Sequence, residues 1–135
     1  MAARWSSSSA LGLFALIFLA ARRVGTVAVS LAARNVVELA RRHGFPDPEL
    51  AAAVALAESG GKAGAIGDHG TSFGLWQIHA PAHPQFDRTR LLEPDYNAAA
   101  ALAISSNGTN WHPWTTYQQG LHLAWLAKPK GTPNG

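Results

Sequence analysis

Cysteine is absent from the 135 residues, which excludes disulfides, thiolate metal sites and a cysteine nucleophile. Clusters of basic residues are absent too. No run of Lys or Arg exceeds two adjacent positions and no nucleic-acid-binding motif is present, so nucleic acid is not an expected partner. No internal repeat is found, and the prominent low-complexity stretch is Ser6–Ser9. The apolar run Ala10–Ala21 (ALGLFALIFLAA) is shorter than a membrane span and has the length of a signal-peptide core.

What is present points to one small helical domain with tails. Hydrophobic residues make up 47% of the chain, enough for a packed core. Many of them are alanine, which lets helices approach closely and has the best helix propensity. Eleven basic against eight acidic residues give a net charge of +3. That mild excess suits an anionic partner such as nucleic acid, anionic lipid or a cell-wall polymer.

The chain divides at about residue 30. Arg4, the serine run and Ala10–Ala21 precede Arg22-Arg23 and a second, mostly apolar stretch, Val24–Ala33. Residues 1–30 are therefore expected to be an export signal or an amino-terminal membrane anchor, the alternative being a buried helix of the domain. The Arg22-Arg23 pair resembles a twin-arginine signal, although its surroundings fit that poorly. Residues 31–127 are expected to fold, and residues 128–135 to form a polar tail.

Within the folding unit an amphipathic helix begins near Leu31, with Val36, Val37 and Ala40 on its apolar face, and stops at Gly44 before Phe45. Asp47-Pro48-Glu49 reads as a helix start: an N-cap, a proline at the first helical position and an acid in the first turn. That helix is expected over Pro48–Ser59. Gly60–Ser72 reads as a loop, Phe73–Ile78 as a short strand or buried turn, and Asp95–Ser105 as a helix. Trp111–Tyr117 is expected to be an aromatic loop, and Gln118–Ala127 a short last helix.

Glu58 stands out within this pattern, on the final turn of an otherwise apolar helix (LAAAVALAE). The partial negative charge of a helix C-terminus and burial among apolar neighbours both disfavour ionisation. A carboxyl kept protonated near neutral pH can give a proton to a leaving oxygen, as glycosidic cleavage requires. On position alone, a solvated helix end beside Gly60 is the simpler reading.

The segments that follow change the balance. Ala57-Glu58-Ser59-Gly60-Gly61, a glycine-rich loop and Gly74-Leu75-Trp76-Gln77-Ile78 together resemble the soluble lytic transglycosylases and goose-type lysozymes. The resemblance continues through Asp95-Tyr96-Asn97. It reaches Trp111-His112-Pro113-Trp114-Thr115-Thr116-Tyr117, which is similar to lysozyme-like domains of actinobacterial and phage proteins. It covers about Val36 to Trp125 and implies a mainly α, α+β lysozyme-like fold. In such a fold a short strand or loop segment follows the catalytic helix beside a glycan-binding cleft.

The resemblance implies roles for six residues. Glu58 matches the catalytic acid. Gln77 matches a cleft amide, with a satisfied core amide as its alternative. Ser72 falls where a small hydroxyl approaches the glutamate or the substrate, and a plain loop serine reads equally well. Trp76 and Tyr117 are expected near the cleft, Tyr117 as the tyrosine approaching the catalytic carboxyl. Trp111, Trp114 and Trp125 are expected in the core or as loop anchors. Asp68 matches a goose-type aspartate that positions water, or is a turn residue beside glycine. A second goose-type aspartate is replaced by His79, which weakens the water-activating reading.

The implied activity is cleavage of peptidoglycan between muramic acid and glucosamine by a lytic transglycosylase using one glutamate. The alternatives are a goose-type muramidase, a chitin-directed enzyme and a non-catalytic wall-binding or phage-tail module. The implied partner is a peptidoglycan glycan strand, met outside the cytoplasm or from a phage virion, by a monomer. No cofactor is implied. Six histidines raise a metal site, with His69, His79 and His83 as ligands, but Pro81 breaks the spacing of the closer pair and none is expected.

Overall fold

The computed structural model describes residues 26–126. Most of the leader or anchor expected over 1–30, and the tail over 128–135, lie outside the described residues. Among the described residues no helix is long and apolar enough to cross a membrane.

The first helix, α1, spans Thr26–Arg42 and so begins before Leu31. Val36, Leu39 and Ala40 on it are buried. It closes on Gly44 in the left-handed region (φ +81°), with the Phe45 N–H donating to the Ala40 carbonyl at 3.2 Å. That bond satisfies a carbonyl the helix end leaves open and turns Phe45 into the core.

Helix α2, Pro48–Ser59, has the expected bounds because its ends are chemically marked. The Asp47 side chain accepts from the Leu50 N–H at 3.0 Å, Pro48 holds the first helical position, and Gly60 caps the other end at φ +66°. Every residue from Ala51 to Ser59 is buried. A helix buried on all sides must lie at the centre of the fold, and α1 and the last helix both pack on it. Its alanines permit that crowding.

After α2 the chain forms a small antiparallel sheet of two-residue strands in sequential order: β1 Ile66–Gly67, β2 Ser72–Phe73 and β3 Ile78–His79. The register sets Ser72 opposite both Gly67 and His79, so Ser72 and His79 share one face. The turn before β2 is tight, with Asp68, His69 and Gly70 all at positive φ.

Helix α3, Pro94–Ile104, starts and ends one residue earlier than expected and fixes the turn between β2 and β3 through Asn97. The buried Asn97 amide accepts from the Trp76 N–H at 2.9 Å and donates to the Phe73 and Leu91 carbonyls at 2.8 Å each. Gly74 permits this approach. A Cβ there would lie 2.3 Å from both Asn97 Nδ2 and the Leu91 carbonyl oxygen, at a φ of +82°.

The aromatic residues tie these parts together. Phe45 stacks on Trp76 and Trp111 at centroid distances of 5.6 and 5.8 Å. Indole N–H groups run in series, Trp114 to the Trp76 carbonyl at 2.8 Å and Trp76 to the Ala51 carbonyl of α2 at 3.0 Å. The expected aromatic loop over 111–117 is only partly a loop, since helix α4 occupies Thr115–Gln118, opening just after the anchored Trp114. Within the described residues the last helix, α5, is Leu123–Leu126, starting later than expected because Gly120 turns the chain ahead of it at φ +73°.

Candidate active site

Glu58 sits in the last turn of α2 with 2% of its surface exposed. The Thr116 hydroxyl of α4 donates to Glu58 Oε1 at 2.8 Å. Burial raises the Glu58 pKa from the ordinary carboxyl range to about 8; the Thr116 hydrogen bond opposes that rise, and the negative charge of Asp68 adds to it. Desolvation dominates because hardly any water reaches the carboxylate to stabilise its charge. The side chain is therefore a neutral acid at pH 7, able to give up a proton and to take one back.

Asp68, whose charge bears on this acid, is held by the strand that follows it. The Ser72 hydroxyl donates to Asp68 Oδ2 at 2.7 Å and lies 3.3 Å from His79 Nδ1. A hydroxyl has one proton, and here it is directed to the carboxylate, so the His79 contact is made by an Nδ1–H donating to the serine. Asp68 of the turn thus joins Ser72 and His79 of the sheet in one polar row, and the charge of Asp68 is felt at Glu58. Among the described residues no group of three or more His, Asp or Glu side chains is placed to hold a metal ion.

Other expected site residues take different places. Trp76 is completely buried, stacked on Phe45 and bonded to α2. It is a core residue with no surface open to a sugar ring, and its one N–H is satisfied by the Ala51 carbonyl. Gln77 is buried at φ +47°, and its Nε2 donates to the Ala65 and Gly74 carbonyls at 3.0 Å each. Its amide holds the loop leading from α2 into the sheet, in keeping with the core-amide reading. Tyr117 is half-buried. Its ring stacks on His122 at 4.6 Å and meets His112 edge-on at 5.8 Å.

Thr116 is the site residue the sequence did not reveal. The hydroxyl that reaches the acid belongs to the neighbour of Tyr117. The remaining signal was the Thr115-Thr116 pair within an aromatic segment, which does not say which threonine points inward.

A family model described as a lysozyme-like domain matches residues 37–116, more than half of the chain. This chain belongs to the lysozyme-like domain family. The matched stretch of the lysozyme-like domain opens in α1, contains Glu58 and the three strands, and ends on Thr116. Membership supports a peptidoglycan-acting glycosidase, and the mainly helical fold with its small three-stranded sheet is consistent with it. No curated protein and no solved structure matches the chain.

Proposed function

We propose that this lysozyme-like domain is a peptidoglycan lytic transglycosylase that cleaves the β-1,4 bond between MurNAc and GlcNAc, with Glu58 as its acid and base. The observation that carries the proposal is the burial of a lone carboxyl at the end of α2, which raises its pKa to about 8. Such an acid arrives protonated and gives its proton to the departing glycosidic oxygen, since an alkoxide leaves poorly. Having become a carboxylate, it takes the proton of the muramyl C6 hydroxyl as that oxygen attacks the anomeric carbon. The glycosidic bond breaks, an intramolecular 1,6-anhydro bond forms, and Glu58 ends protonated as it began. One carboxyl is enough for this sequence.

A hydrolytic reading is favoured by a separate observation, the fixing by Ser72 of an Asp68 carboxylate whose charge is felt at Glu58. A second carboxylate there could orient a water molecule in place of the C6 hydroxyl. The substrate would be met at the cell wall, outside the cytoplasm.

The products separate the two readings. Incubated with purified sacculi, the protein is expected to release 1,6-anhydro muropeptides, each lighter by one water than the reducing-end products of a muramidase. A mass spectrum holding only reducing-end muropeptides would replace transglycosylation with hydrolysis. Release of fragments from chitin oligomers but not from sacculi would remove the peptidoglycan assignment.

A further inference from the structure

We propose that Thr116 is the positioning residue for Glu58: its hydroxyl proton, donated to Oε1, reserves Oε2 as the oxygen that delivers and then recovers the reacting proton. The inference rests on the acid–base role given to Glu58 above and adds the group that makes both halves of that role available. A threonine hydroxyl has one proton to donate, and the Thr116 oxygen lies 2.8 Å from Glu58 Oε1 inside a buried site. When Glu58 is ionised, the threonine must be the donor. When Glu58 is neutral with its proton on Oε2, Oε1 is a carbonyl oxygen that still accepts the same bond. The hydrogen bond therefore survives the whole cycle without reorganising, but only if the travelling proton uses Oε2. A proton on Oε1 would force Thr116 to turn its hydrogen toward another acceptor.

The bond is also stronger to the charged form, as hydrogen bonds to ionised acceptors are. Among the groups that bear on Glu58 in the described residues, Thr116 favours the carboxylate, whereas burial and the charge of Asp68 oppose it. At the moment after proton delivery, with almost no water in contact, Thr116 supplies the donor that solvent would otherwise provide.

The surroundings of Thr116 keep that donor aimed. It is fully buried and β-branched, so its χ1 is stiff. Its carbonyl accepts from the Leu121 N–H at 2.9 Å, and the imidazole of buried His122 is close enough to feel that carbonyl. Two residues upstream, Trp114 is bonded to the Trp76 carbonyl, and next door the Tyr117 ring is held between His112 and His122. Tyr117 therefore serves the acid from behind, by fixing α4.

The test is a ¹³C titration of the glutamate side-chain carboxyls, with Glu58 identified by the signal lost in Glu58→Gln. Thr116→Val removes the hydroxyl at nearly constant shape, and Thr116→Ser keeps it. In Thr116→Val, Glu58 is expected to titrate roughly one pH unit higher than in the wild type, while Thr116→Ser stays close to the wild type. On sacculi, kcat is expected to fall roughly tenfold or more in the valine variant with KM unchanged, and to recover in the serine variant. Should the valine variant fail to fold, Thr116→Ala is read by the same titration. An unmoved Glu58 titration on loss of the hydroxyl, or equal impairment of the serine and valine variants, overturns the proposal. Wild-type protein that leaves sacculi intact would instead remove the enzymatic reading, and the titration would still decide the role of Thr116.

Discussion

At the scale of single residues, the site is built against stability. Glu58 binds its proton more tightly folded than unfolded, so the unfolded chain releases a proton between the ordinary carboxyl pKa and about 8 that the folded chain keeps. Stability tied to this group is therefore intact at low pH and lost as pH rises through that interval. At pH 7 the loss amounts to roughly 3 kcal/mol. Glu58→Gln keeps the shape and the acceptor for Thr116 but cannot ionise. Urea denaturation is expected to show it more stable than the wild type at pH 8, with the difference vanishing near pH 4. A variant equally or less stable than the wild type at pH 8 would mean that the carboxyl is better solvated than its burial implies.

The burial of Glu58 was not legible from its position alone, which reads more simply as a solvated helix end; the segments that follow it singled it out, and the structure shows it buried. Its partner was not singled out. The choice between Thr116 and Tyr117 depends on where α4 begins, which is fixed by an indole hydrogen bond from Trp114 to a residue 38 positions earlier. Trp76 was misplaced for a related reason. An aromatic side chain beside a cleft segment reads as a sugar platform until a buried carbonyl, here that of Ala51, shows what its N–H is for.

Among the elements, the helices were legible where their ends are chemically marked. Asp47 and Pro48 at one end and Gly60 at the other mark α2, read from Pro48 to about Ser59 and found over Pro48–Ser59. Strands of two residues leave no alternation to read, so the sheet was visible only as an apolar stretch after a glycine loop. Its shape is imposed from outside by Asn97, whose buried amide bonds one N–H and two carbonyls of the surrounding backbone. Asn97→Ala is expected to cost about 3 kcal/mol or more, seen as a lowered denaturation midpoint. Gly74→Ala should be comparably harmful, because its Cβ would overlap Asn97 and Leu91 at a positive φ. Near-wild-type stability of both variants would show that the turn between β2 and β3 is held by something else.

For the whole molecule, family membership rests on the match of a lysozyme-like domain model to residues 37–116, in line with the resemblance carried by several segments in order. The same central helix is the core of the fold and the carrier of the acid, so burial supplies both packing and chemistry. The account depends on a neutral carboxyl at position 58, and the most direct measurement is the pH dependence of sacculus solubilisation by the wild type and Glu58→Gln. The wild type should lose activity as pH rises through about 8, and the variant should be slower by roughly 10²–10⁴-fold below that pH, with the gap narrowing above it. Solubilisation by Glu58→Gln at the wild-type rate would contradict the account.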